Sequence, residues 1–131
     1  MYRTGIKSSF RARHSLIGDF GDESIPHEHP YVVEWICTVA ELNRDGFGVD
    51  IDLLNMTLAE VLAAIDGRLL NDLPFFSGKQ TSIENTARYI FESLIGALKK
   101  SGYPVHTINR SEVRVWESDT AWASFTGSIE E

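Results

Sequence analysis

Apolar and polar positions alternate from Phe10 to Leu16. Phe10, Ala12, His14 and Leu16 share one face, and Arg11, Arg13 and Ser15 share the other. That is the period of a strand, whose successive side chains point to opposite sides of a sheet. A second extended stretch, Tyr31-Val32-Val33-Glu34-Trp35-Ile36-Cys37-Thr38-Val39, is strongly apolar. Asn43-Arg44-Asp45-Gly46 has the composition of a turn. Phe47 to Ile51 then reads as a short extended stretch or as the lead-in to a helix. Beyond it the period changes: Leu54, Leu58, Val61, Leu62 and Ile65 recur at helical spacing and form one inward stripe. Gly67 is placed to end that helix.

A second helix has a clearer beginning. Thr81-Ser82-Ile83-Glu84 fits a capping box, with Thr81 as N-cap and Glu84 reaching back to its amide. Ala87, Ile90, Phe91, Leu94, Ile95 and Leu98 form the predicted buried face. Lys99 and Lys100 suit the negative end of the helix dipole, and Gly102 with Pro104 stops the helix. Pro104 to Thr107 is expected to be an edge strand carrying His106 on the surface. Val113-Arg114-Val115-Trp116 and Ala121-Trp122-Ala123-Ser124-Phe125 flank Ser118-Asp119-Thr120, which predicts a hairpin whose turn follows Glu117. The tail from Gly127 to Glu131 is expected to fray.

The order is therefore strand, strand, helix, helix, strand, strand. It predicts an α+β domain over residues 1–131, a four-stranded antiparallel sheet with two helices packed on one face. The other face and the sheet edges would need partners, so oligomerisation is expected. With 131 residues, 43% of them hydrophobic, the chain can build a core of its own. No apolar run is long enough to cross a membrane, and Met1 to Lys7 lacks a signal-peptide hydrophobic stretch, so a cytoplasmic protein is expected. The formal charge of -7 argues against nucleic acid as a partner. Arg3, Lys7, Arg11 and Arg13 are nevertheless close together. They either solvate the outer face of the first strand or attract an anionic ligand. The single cysteine, Cys37, excludes an internal disulfide, and its apolar strand predicts a buried, inert thiol.

Candidate chemistry concentrates in the histidines. Three of the four, His14, His27 and His29, fall in one short stretch. In an extended chain His27 and His29 share a face, roughly 6–7 Å apart. If the strand carrying His14 pairs with theirs, three imidazoles converge, and three neutral nitrogens with one open position describe a catalytic zinc site. The plainer alternative is a polar face on an exposed strand. Cys37 shares the face of His29, but eight residues of strand put it roughly 26 Å away.

The motifs in this layout resemble those of the 6-pyruvoyl tetrahydropterin synthase family, which includes bacterial 6-carboxytetrahydropterin synthases. Phe10-x-Ala12-x-His14-x-Leu16 looks like the family's first zinc strand. His27-Glu28-His29-Pro30-Tyr31 is similar to its His-Gly-His-x-Tyr element, with Glu28 in place of glycine. Gly48-Val49-Asp50-Ile51 resembles Gly-x-Val-x-Asp-Phe. Ile65-Asp66-Gly67-Arg68-Leu69-Leu70-Asn71-Asp72 resembles Leu-Asp-His-x-x-Leu-Asn-Asp. Thr81-Ser82-Ile83-Glu84-Asn85 and Val113-x-Val115-x-Glu117-Ser118 resemble Pro-Thr-x-Glu-Asn and Val-x-Val-x-Glu-Thr. None of these is specific alone, but six in order over nearly the whole chain make a strong signal.

The resemblance implies the tunnelling (T-) fold, assembled as a homohexamer whose sheets close into barrels with active sites between subunits. It implies zinc on His14, His27 and His29, and Glu117 as the pterin anchor. A carboxylate suits that role, because a pterin presents an exocyclic amine and a ring N–H side by side. Family members act on 7,8-dihydroneopterin triphosphate, with zinc as Lewis acid, a cysteine thiolate as base and an Asp–His relay.

This chain departs at two of those places. No cysteine lies in Phe20 to Pro26, and Gly67 replaces the relay histidine, leaving Asp66 without a partner. Glu23, four positions before His27, is the candidate replacement base, ahead of Asp22; some family members that cleave the side chain use a glutamate in this region. The expectation is a zinc-dependent carbon–oxygen or carbon–carbon lyase of altered activity, with Glu23 and Asp66 as acid–base groups. The alternatives are a non-catalytic zinc- and pterin-binding protein and a structural T-fold in which zinc only joins two strands.

Overall fold

The computed structural model describes residues 1–129. Strands β1 (Tyr2–His14) and β2 (His27–Val39) form a long antiparallel pair. Two helices follow, α1 (Ile51–Ala63) and α2 (Ile83–Ser101), and then the hairpin of β3 (Arg110–Trp116) and β4 (Trp122–Gly127). The sheet order is β1-β2-β3-β4, all antiparallel. Both helices cover one face: α1 lies against β1 and α2 against β3 and β4. The alternation works as expected. Phe10, Ala12 and His14 of β1, and Tyr31, Val33, Trp35, Cys37 and Val39 of β2, point into the core. They meet Leu54, Leu58 and Leu62 of α1 and Ala87, Ile90, Leu94 and Leu98 of α2.

The outer face is charged and partly matched. Arg3 pairs with Glu112 and Arg11 with Glu28. Half of the N-terminal basic cluster is thus committed to cross-strand pairs on that face.

Four local expectations are corrected. The N-cap of α2 is Ser82, whose side chain accepts from the Asn85 amide, and Thr81 is not the cap. Thr81 is drawn away because its hydroxyl and carbonyl face β1, as described below. Pro104 to Thr107 is no edge strand, because Val105–Thr107 closes into a single 3-10 turn after Pro104. Nor is the whole tail frayed: Gly127 ends β4 and Ile129 is buried in the core, while Glu130 and Glu131 lie outside the described residues. Helix α1 stops at Ala63, so Ile65 enters the core from the following turn. Phe47 to Ile51 is the lead-in to α1, with Asp50 as N-cap accepting from the Leu53 amide.

Candidate metal centre

The β1–β2 register places His14 directly opposite His27, and Ala12 opposite His29. All three imidazoles emerge on the core-facing side at one end of the sheet, with ring centroids 4.5–5.1 Å apart. His14 is buried, and His27 and His29 are half-buried. A fourth donor comes from the connection between the strands. A short 3-10 turn, Gly21–Ser24, carries Glu23 back over the histidines. Its placement is tied down locally: the Leu16 amide donates to the Glu23 carbonyl at 2.8 Å. The Ser24 hydroxyl donates to the Gly18 carbonyl at 2.7 Å and accepts from the Phe20 amide. One donor atom from each of His14, Glu23, His27 and His29 lies within 4.8 Å of all the others, so the four could hold a metal ion.

The hydrogen bonds define which nitrogens are free. His14 Nδ1 lies 2.8 Å from the Thr81 carbonyl, and His27 Nδ1 lies 2.7 Å from the Ile25 carbonyl. A carbonyl oxygen only accepts, so each Nδ1 carries the proton and each Nε2 presents a lone pair. Both Nε2 atoms are buried and without a hydrogen-bond partner. Orphaned buried acceptors of this kind are costly, and a backbone carbonyl on the distal nitrogen is how metal-binding imidazoles are oriented. Burial lowers the His14 pKa, partly offset by the Thr81 carbonyl, and the neighbouring His27 and His29 lower it further. The lowered pKa favours the neutral imidazole, the form a metal ligand needs. The donor set therefore fits a borderline-soft divalent ion such as zinc.

Glu117 follows β3 one position beyond the Val32–Trp116 pair, and its amide bonds the Ala121 carbonyl at 3.1 Å. Its charge reaches the cluster, raising the pKa of His14 and of Tyr31. Tyr31 stacks on Phe10 and packs edge-on to His14 and His29. Its hydroxyl is buried without a partner, and burial, then Glu117, then Glu23 push its pKa up.

Asp66 is not brought into the cluster. Its Oδ1 accepts the Arg11 amide at 2.9 Å, and the Gly67 amide donates to the Arg11 carbonyl, so this turn runs beside the free edge of β1. Asp22 lies in the same 3-10 turn as Glu23 but outside the convergent set. His106 is exposed and lines a groove of about 870 Å³ with Leu42, Phe47 and Tyr103. That groove opens beside the Val39 end of β2, away from the histidines.

Sequence reading missed Thr81 and Ile25 as the groups that orient His14 and His27, and it gave Tyr31 no role. Thr81 is 67 positions from His14, and no local pattern links residues so far apart.

A four-stranded antiparallel sheet with two helices on one face, bearing this histidine cluster at one end, defines a tunnelling-fold protein. The family profile of 6-pyruvoyl tetrahydropterin synthase matches residues 4–128, and the chain belongs to that family. The 6-pyruvoyl tetrahydropterin synthase of Caenorhabditis elegans superposes with a TM-score of 0.81 at 24% identity, covering 97% of this chain and 96% of that one. A Plasmodium vivax 6-pyruvoyltetrahydropterin synthase, solved as an alanine variant of a catalytic glutamate, gives 0.82 at 19% identity, covering 97% and 98%. Dihydroneopterin aldolase of Escherichia coli in complex with neopterin gives 0.55 at 12% identity, covering 98% and 100%. At these identities the structures share the fold. Comparison with curated proteins gives no significant match. No helix among the described residues is long and apolar enough to cross a membrane.

Proposed function

We propose that the protein is a zinc-dependent enzyme acting on the side chain of a dihydroneopterin-type substrate, with Glu23 in place of the cysteine base. The observation that carries this reading is the convergence of His14, His27, His29 and Glu23, with the Glu117 charge acting on the same cluster. Zinc on the three histidines would supply Lewis acidity toward the substrate's side-chain hydroxyls. The chain's own residues do the rest. Glu117 accepts the exocyclic amine and the ring N–H of the pterin and so fixes which side-chain carbon faces the histidines. Glu23, half-exposed and beside His27, takes the proton made labile there. The Tyr31 hydroxyl, with a buried proton to donate, offers a hydrogen bond to oxygen developing charge at that point.

The Plasmodium vivax relative's catalytic glutamate supports a carboxylate in this role. Asp66 is the second acid–base candidate. It lies outside its own chain's cluster, so its participation requires a site shared between subunits, as a homohexamer of this fold would provide. With Gly67 in place of a relay histidine, the second reading is a zinc- and pterin-binding protein without turnover.

The test is incubation of zinc-loaded protein with 7,8-dihydroneopterin triphosphate, followed by product analysis. Zinc-dependent turnover, abolished in Glu23→Ala and weakened through KM in Glu117→Gln, is expected. Tight binding without product selects the second reading. Neither binding nor turnover rejects both.

A further inference from the structure

We infer that Glu23 is a fourth protein ligand of the metal in the resting site, closing a His14/His27/His29/Glu23 set, and not solely a base waiting beside it. This rests on the metal reading above and extends it.

Glu23 Oε2 lies 3.0 Å from His27 Nε2. His27 Nδ1 is committed as donor to the Ile25 carbonyl, so Nε2 carries a lone pair, and a carboxylate oxygen carries lone pairs too. Two acceptors at that separation repel unless a positive charge is shared between them. The contact is not an aligned hydrogen bond, because Nε2 has no hydrogen-bond partner even with the carboxylate so near. The oxygen is close to the nitrogen but off the line along which an N–H would point. That arrangement belongs to two donors aimed at a common third point. Ligands on a tetrahedral ion with bonds of about 2.0–2.1 Å are spaced by about 3.3 Å, close to the separation seen.

The backbone around Glu23 supports a fixed ligand and argues against a wandering surface acid. Its carbonyl is held by the Leu16 amide, and its turn is closed by Ser24 bonding Gly18 and Phe20. The His14 and His27 rings are equally locked from behind by Thr81 and Ile25. Three of the four donors, all but His29, are thus positioned by main-chain contacts. Three-histidine sites that keep an open position are ready for substrate, and four-ligand sites are closed. Glu23 therefore has to leave the set before it can act as a base, which ties release of the base to arrival of the substrate.

Cobalt(II), which reports its ligand set in its visible absorption, is the probe. Metal-free protein and the Glu23→Gln variant are each titrated with Co2+, and zinc affinity is measured by chelator competition. Circular dichroism checks that the variant is folded. A changed band position and intensity in Glu23→Gln, with zinc affinity reduced by at least about tenfold (the low end for loss of even an outer-shell partner), is expected. Superimposable cobalt spectra overturn the fourth-ligand inference while leaving Glu23 free to be the base. Failure of the unaltered protein to bind either ion overturns the metal reading itself.

Discussion

Zinc added to the protein should raise its stability measurably, by an amount that binding linkage sets. The Nε2 atoms of His14 and His27 are buried without partners, and each such orphan costs about 1–3 kcal/mol. An ion that binds only the folded chain relieves this, and the relief is already counted in its Kd. At a free concentration one hundred times Kd the stabilisation amounts to about 2.7 kcal/mol. For a chain of 131 residues, unfolding entropy of about 2.1 cal/mol/K per residue makes each kcal/mol worth roughly 3–4 °C. Thermal melts of chelator-treated protein with and without saturating zinc should therefore differ by about 10 °C. The His27→Ala/His29→Ala variant, which keeps the buried His14 and its Thr81 contact, should melt at one temperature under both conditions. Equal melting temperatures for the unaltered protein, or an undiminished shift in the double variant, would refute the assignment of these nitrogens to a metal.

Three further outcomes follow from the packing. Trp35 is fully buried and donates Nε1–H to the Ser111 hydroxyl at 2.6 Å; Ser111→Ala should cost about 1–3 kcal/mol in urea unfolding, and a loss under 0.5 kcal/mol, the range of about ±0.5 typical of surface changes, would show that the donor finds another partner. Gly67 has φ +75°, so introducing a histidine by Gly67→His should destabilise the fold by about 1 kcal/mol; unchanged or increased stability would show the turn is not strained by a side chain. Burial pushes the Cys37 thiol up from 9.0 to about 11. Native protein therefore keeps this proton when the unfolded chain loses it. Its contribution is full below about pH 9 and falls away as pH rises through about 11, by roughly 2–3 kcal/mol in all. Unfolding measured across that window should decline less steeply in Cys37→Ala, and parallel curves would contradict the burial argument.

Much of the fold was legible because its signals are local. Alternation at Phe10, Ala12 and His14 and the helical stripe from Leu54 are set by neighbours a few positions apart, and the core uses them as read. Capping was less legible. Thr81 and Ser82 are both good caps by residue type, and the choice went to Ser82 because Thr81 is engaged by His14 and Ser15 across the fold. The tail misled for the same reason: Ile129 is a lone apolar residue in sequence but meets a core assembled from elsewhere.

At the candidate site the division is equally clear. Sequence by itself determined that His27 and His29 share a face and that His14 lies on the inward side of its strand, since strand parity allows nothing else. It also determined that Phe20 to Pro26 holds no cysteine and that a glycine, Gly67, follows Asp66, because residue identity needs no fold. Only the tertiary structure decided that His14 stands opposite His27, that Glu23 turns in upon them while Asp66 ties down Arg11, and that Thr81 and Ile25 select the tautomers. Those outcomes depend on strand register and on where an aperiodic loop returns. Both are properties of the packed chain, to which residue spacing along the sequence is blind.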